Sequence, residues 1–292
     1  PQSATRPQPR GRTARLRVSW TTLGARTDIS EPLTALLSLI SAMVIGASDF
    51  GGGVAARKAS PFAVAAWVQA ASLGLLFVAV WFIDAPDIQT TDLSAGVVAG
   101  LSATFSYVAL YAAFSRGKIS LLAPVTATVG AVIPTLVGVG RGEALAAMNI
   151  VGIVLALTAI ALVTQDREGD GDATPPIAFA LALIAGIGFS IFFLALAETQ
   201  NGAGLWPLVA PRAVSVPLVI VIALMVRGVT TLSGQTRLIV IAAGIAEGVS
   251  SICALWAYQR GPLAVAAVLG AFYPVSTVLL ARLLLDERLR RV

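Results

Sequence analysis

LIVIAAGIAEGVSSICALWA, residues 238–257, holds one charged side chain, Glu247, in the middle of an otherwise apolar or small-residue block. At about 1.5 Å rise per residue a helix of this length crosses the roughly 30 Å hydrocarbon core of a bilayer. No period-two alternation interrupts the block, so a barrel strand does not fit it. The reading that follows is a membrane-spanning α-helix with a carboxyl group at bilayer depth.

Working outward, the same kind of block recurs along the whole chain. Candidate spans lie at about 33–55, 61–83, 93–113, 119–139, 144–164, 176–197, 205–226, 238–257 and 262–281. Of 292 residues, 57% are apolar and 12% charged, and the mean hydropathy is +0.86. Soluble domains carry about 25% charged residues, so a water-facing shell cannot be assembled from this composition. The fold class is therefore all-α, a polytopic transmembrane helical bundle whose first partner is the lipid bilayer.

The rest of the organisation is brief. Residues 1–32 carry Arg6, Arg10, Arg12, Arg15, Arg17 and Arg26 among Pro, Gly and Thr, the pattern of a disordered basic juxtamembrane tail rather than a nucleic-acid arm. The tail is too long and poorly patterned for a cleaved signal peptide. Residues 165–175 form an acidic linker. Cys253 is the one cysteine and histidine is absent, which excludes a disulfide framework, the common zinc sites and every His-dependent triad. With the only lysines, Lys58 and Lys118, in loops, a Ser/Lys dyad is excluded too. The reading is a non-enzyme with no cofactor, no metal and no nucleic-acid partner.

Sliding the chain on itself by 144 residues places Gly100 on Gly244, Ser106 on Ser250, Arg116-Gly117 on Arg260-Gly261 and Glu143 on Glu287. Two homologous halves follow, residues 33–164 with five helices and 176–292 with four. An odd helix number makes consecutive copies enter the membrane from opposite sides, so the repeat is inverted.

SRGKISLLAPVTATVGAVIPTLVGVGRGEAL, residues 115–145, and QRGPLAVAAVLGAFYPVSTVLLARLLLDERL, residues 259–289, resemble the two signature regions of the drug/metabolite transporter superfamily in its ten-helix EamA-type branch. The resemblance covers nearly all of 33–292. It implies a secondary transporter of the cell inner membrane, often an exporter of amino acids, other metabolites or drugs, that works by alternating access. It also implies Glu143 and Glu287 as structural motif residues at helix ends, and bends at Pro134 and Pro274. Only five residues follow Glu287, so the family's tenth helix is missing from this chain. Both termini would be cytoplasmic. The loop charges oppose that: with the N-terminus inside, Arg57, Lys58, Arg116 and Lys118 fall outside, against the usual Lys/Arg bias.

Polar side chains within spans face protein or water by default. At 100° per residue, Gly244, Glu247, Gly248, Ser251 and Tyr258 share one stripe, and Gly96, Gly100, Thr104, Tyr107 and Tyr111 form its repeat-related counterpart. The two stripes are expected to wall a path between the halves. The first span adds Ser38, Ser41, Ser48, Asp49 and Gly52, the seventh adds Arg212, and the ninth Tyr273. Gln69 stands roughly where Arg212 stands in the other copy.

Each has a plainer alternative. Arg212 snorkels to the headgroups or pairs with Asp49 or Glu247. The tyrosines anchor or pack, and Glu247 is a neutral carboxyl in a helix seam. Gly51-Gly52-Gly53 and Gly186-Ile187-Gly188 follow no strand, so close helix packing explains them better than a phosphate loop. The leading function is transport of a small organic solute, with a proton as candidate coupling ion at Glu247 or Asp49, by a monomer or weak homodimer. The alternatives are a lipid-handling flippase and a membrane scaffold without flux.

Overall fold

The structure, a computed structural model, describes residues 30–85, 87–140, 174–199, 201–226, 232–260, 269–270 and 272–285. Helices α1 (Ser30–Ala56), α2 (Pro61–Ala79), α3 (Thr90–Phe114) and α4 (Ile119–Gly140) precede α5 (Pro176–Ala197), α6 (Trp206–Met225), α7 (Gly234–Arg260) and α8 (Tyr273–Leu285). Among the described residues six helices are long and apolar enough to cross a membrane, and the chain is an all-α, multi-pass membrane protein, consistent with an inner-membrane location. The expected fifth span, 144–164, Glu143, Glu287 and residues 1–29 of the tail lie outside the described residues, and residues 30–32 belong to α1.

Helices form because no water in the hydrocarbon satisfies a backbone N–H or C=O, so every such group bonds within its own helix. Entry points follow sequence: Pro61, Pro176 and Pro207 occupy first-turn positions, where a missing N–H costs nothing. Asp92 closes a capping box on Gln89, accepting from its backbone N–H at 2.9 Å. Polar residues at such ends explain why α3 and α7 begin three or four residues before the apolar blocks that revealed them. Pro134 lies inside α4 together with Pro124. Pro274 sits in the first turn of α8.

Outward faces are large and apolar, with Trp81, Phe82, Phe105, Leu224 and Leu283 exposed to the lipid side. Inward faces are mostly small, with Ala55, Ala65, Ala99, Ala103, Ala182 and Ala185 fully buried, which lets backbones approach where lipid supplies no hydrophobic drive for helix association. The most extensive pairings are α1 with α7 and α3 with α5; next come α3 with α6, α4 with α5, α2 with α7, α1 with α8 and α2 with α6.

The bundle has two chemically different ends. Arg57 donates to the Phe114 and Gly117 carbonyls at 3.4 and 3.3 Å, and the Lys118 N–H to Thr174 Oγ1 at 3.2 Å, which gathers Arg57, Lys58, Arg116 and Lys118 at one end. At the other, the Asp87 N–H donates to the Gly202 carbonyl at 3.3 Å, bringing Asp84 and Asp87 to the α5–α6 connection that begins at Glu198.

Candidate functional site

Interior polar groups fall into two kinds. Hydroxyls of the first kind join helices. Ser41 Oγ meets Ser250 Oγ at 2.9 Å, Ser48 donates to the Ala243 carbonyl at 2.7 Å, Ser190 to the Val129 carbonyl at 3.0 Å and Thr277 to the Gly46 carbonyl at 3.0 Å. Ser38 and Thr104 bond back to carbonyls of their own helices, Thr34 and Gly100, at 2.8 and 2.9 Å. These groups are satisfied: Ser41 and Ser48 of the α1 arc join α1 to α7, and Ser38 bonds within α1.

The glycines of the two stripes go the same way. A Cβ on Gly100 would lie 2.5 Å from the Pro211 carbonyl oxygen and 2.7 Å from Val214 Cβ, and one on Gly244 would strike the Val68 carbonyl and Ala71. They are contact points of α3 on α6 and of α7 on α2, which corrects the reading of them as path walls. Gly52 is pressed against the Tyr111 ring and Gly53 against Phe114 and Ile119, the close packing expected of the triple glycine.

Polar groups of the second kind converge on Glu247. Arg212 Nη2 donates to Glu247 Oε1 in a salt bridge with side chains 1% and 2% exposed. Arg212 is thus an ion-pairing residue and does not snorkel. Oε1 also accepts from Ser251 Oγ at 2.9 Å and from Tyr107 Oη at 3.2 Å. The guanidinium lies 5.9 Å from the Tyr107 ring centre and 5.6 Å from that of Phe192, so its flat face is covered by π-systems while its edge meets the carboxylate. Phe189 stands edge-on to Tyr107 at 5.0 Å, and Tyr111 lies 6.0 Å beyond Tyr107.

One prong of each charged group is spent and the rest is not. Among the described residues, Arg212 Nε and Nη1, Glu247 Oε2, Gln69 Nε2 and Tyr111 Oη are buried without a hydrogen-bond partner. The Ser72 hydroxyl faces Glu247 but closes no hydrogen bond to it. Orphaned donors and acceptors at this density are unusual in a folded interior, where most buried polar atoms are paired.

Asp49, on α1, is buried within electrostatic reach of Glu247, Tyr111 and Tyr273. It does not bond Arg212. Tyr258 lies in α7, and its side chain is outside the described ones. Sequence reasoning missed Phe189, Phe192, Ser72 and Ser215. Ser215 donates to Gln69 Oε1 at 2.5 Å. The signal was available: Gln69-Ser72 on α2 and Arg212-Ser215 on α6 share one i, i+3 spacing, 143 residues apart.

Residues 176–292 match the EamA-like transporter family. The EamA-like match takes in α5 to α8, and so Arg212, Glu247, Ser251, Tyr258, Tyr273 and Pro274; Asp49, Tyr107 and Tyr111 come from the part of the chain before it. No curated protein matches the chain.

Proposed function

We propose that the protein is a secondary carrier that moves a small organic solute across the membrane by alternating access, as an exporter, with its path at the Arg212–Glu247 pair. The observation that carries this reading is the half-spent pair itself. A buried ion pair brings little net stability after desolvation, and a structural one would use both prongs of the guanidinium on both carboxylate oxygens. This one leaves Arg212 Nε and Nη1 as donors and Glu247 Oε2 as an acceptor. A solute that fits such a set offers an acceptor or anionic group at one end and a donor at the other, as an amino acid does, or an amphipathic drug-like molecule with both. Asp49, Tyr107, Tyr111, Ser251, Tyr258 and Tyr273 complete the proposed path, with Pro134 and Pro274 as its hinge positions.

Alternating access needs two units that can exchange roles, and the packing supports an inverted repeat of residues 33–164 and 176–292 about the linker 165–175. Exchanging α1 with α5, α2 with α6, α3 with α7 and α4 with α8 turns the α1–α7 pairing into α5–α3, α2–α7 into α6–α3, and α1–α8 into α5–α4, all of which are formed. Gly100 on α6 and Gly244 on α2 are equivalent contacts under the same exchange.

A second reading, lipid handling, is favoured by one feature. A groove of about 460 Å³ bordered by Pro61, Phe105, Val108, Ala112, Arg116, Ile184 and Ile222 opens beside exposed Phe105 and Ile184. Its α3 members lie on a different face from Tyr107 and Tyr111, so it does not reach the charged pair. Thermal unfolding of the purified protein against amino acids, nucleobases and cationic amphiphiles separates the readings. Stabilisation by a solute, lost in Glu247→Gln, supports the carrier. Stabilisation by phospholipid alone, lost on blocking the groove with Val108→Trp, supports lipid handling.

A further inference from the structure

We propose that Asp49 is the proton-binding group of this protein and that Glu247 remains an anion. Among the described residues, the buried charged side chains of the central cluster are Asp49, Arg212 and Glu247, two acids and one base. Arg212 is committed to Glu247 by contact, and Tyr107 and Ser251 add two further donors to the same oxygen. Asp49 is 6% exposed and makes no hydrogen bond or ion pair with any described residue.

Among the described residues, the neighbours of Asp49 give it no cation. From α7 it faces Glu247, from α3 Tyr107 and Tyr111, and from α8 Tyr273. The α2 groups nearest the cluster, Gln69 and Ser72, do not titrate. Arg57, at the end of α1, turns to the Phe114 and Gly117 carbonyls. An isolated carboxylate in a medium of low dielectric carries a desolvation cost that the neutral acid avoids. The closed bundle therefore fits the acid form of Asp49, and the anion fits a state in which water reaches α1. The step is a bare proton transfer between a carboxylate oxygen and water and needs no co-reactant.

Position suits the task. Ser48 against Ala243 and Ser41 against Ser250 fix the antiparallel register of α1 and α7. In that register Asp49 lies about five residues, or ~7 Å, from the level of Glu247 toward the basic end. Tyr107 reaches Glu247 with its hydroxyl, and Tyr111 packs on Gly52, about one turn beyond Asp49. A proton held there senses the pair at the centre through space.

The purpose of the proton, coupling, rests on the carrier reading; its location does not. Infrared difference spectroscopy of the full chain in lipid, titrated with pH, shows a buried neutral carboxyl as a C=O stretching band. The expected band disappears in Asp49→Asn and shifts in unmutated protein grown on isotope-labelled aspartate, an arm that needs no variant to fold. A band that shifts with labelled glutamate instead, or no titrating buried carboxyl at all, overturns the assignment. A wild type that shows the aspartate band but moves no solute leaves the assignment standing and removes the carrier reading.

Discussion

Arg212 and Glu247, 35 residues apart in the chain and on neighbouring turns of α6 and α7, form an ion pair whose members are 1% and 2% exposed. Breaking it from one side strands a charge. Arg212→Ala and Glu247→Ala should each destabilise the protein by roughly 3–5 kcal/mol, as losing one partner of a buried pair does. The double variant should lose less than the sum of the two. Thermal unfolding of the three variants in detergent measures the coupling, and additive losses would mean that the two groups do not act on each other.

Gly100 and Gly244 predict a matched pair of packing defects. Adding a methyl group at either position drives α3 off α6 or α7 off α2, because the contacts are backbone carbonyls and short side chains with nowhere to move. Gly100→Ala and Gly244→Ala should each cost about 1–3 kcal/mol. Gly74 has open space around it, and Gly74→Ala should be neutral or stabilising by about 0.5–1 kcal/mol. Equal melting temperatures for all three variants would contradict the helix contacts described.

Lys58 and Lys118 give a test of topology that needs no mutation. The fold puts both at one end, since Arg57 and Lys118 reach the same cluster of loop groups. In sealed vesicles of one orientation an impermeant amine reagent should modify both lysines or neither. Labelling of one from each side would contradict the arrangement of α1 to α4.

The proposed path predicts the chemistry of two engineered thiols. In a Cys253→Ala background, Tyr107→Cys and Ser251→Cys should react with aqueous thiol reagents in membranes, and a bound solute should slow the reaction. Protection of both under every condition would make the two stripes packing seams.

Helix positions were legible because a span is announced by its length of apolar sequence, and the blocks at 61–83, 176–197 and 205–226 lie within four residues of α2, α5 and α6. Ends were less legible at α7, where Gln235, Thr236 and Arg237 continue the helix beyond the apolar block. In the site, Glu247 stood out because one acid in an apolar block has few structural uses. Arg212 left two alternatives open because sequence fixes depth along a helix and not the neighbour it faces. Ser41 and Ser48 read as part of the path because polarity alone does not say whether a hydroxyl meets water or a carbonyl. Phe189 and Phe192 were invisible, two apolar residues among many, until the fold set them against Tyr107 and Arg212.

Solute flux into proteoliposomes containing the purified chain tests the central claim most directly. Labelled amino acids, nucleobases and amphipathic cations are presented in turn, with empty liposomes and Glu247→Gln as comparisons. The account predicts saturable uptake of at least one zwitterionic or amphipathic solute, reduced at least tenfold in Glu247→Gln, which corresponds to about 1.4 kcal/mol or more. Uptake by the wild type no faster than by empty liposomes for every solute, or uptake unchanged in Glu247→Gln, would contradict it.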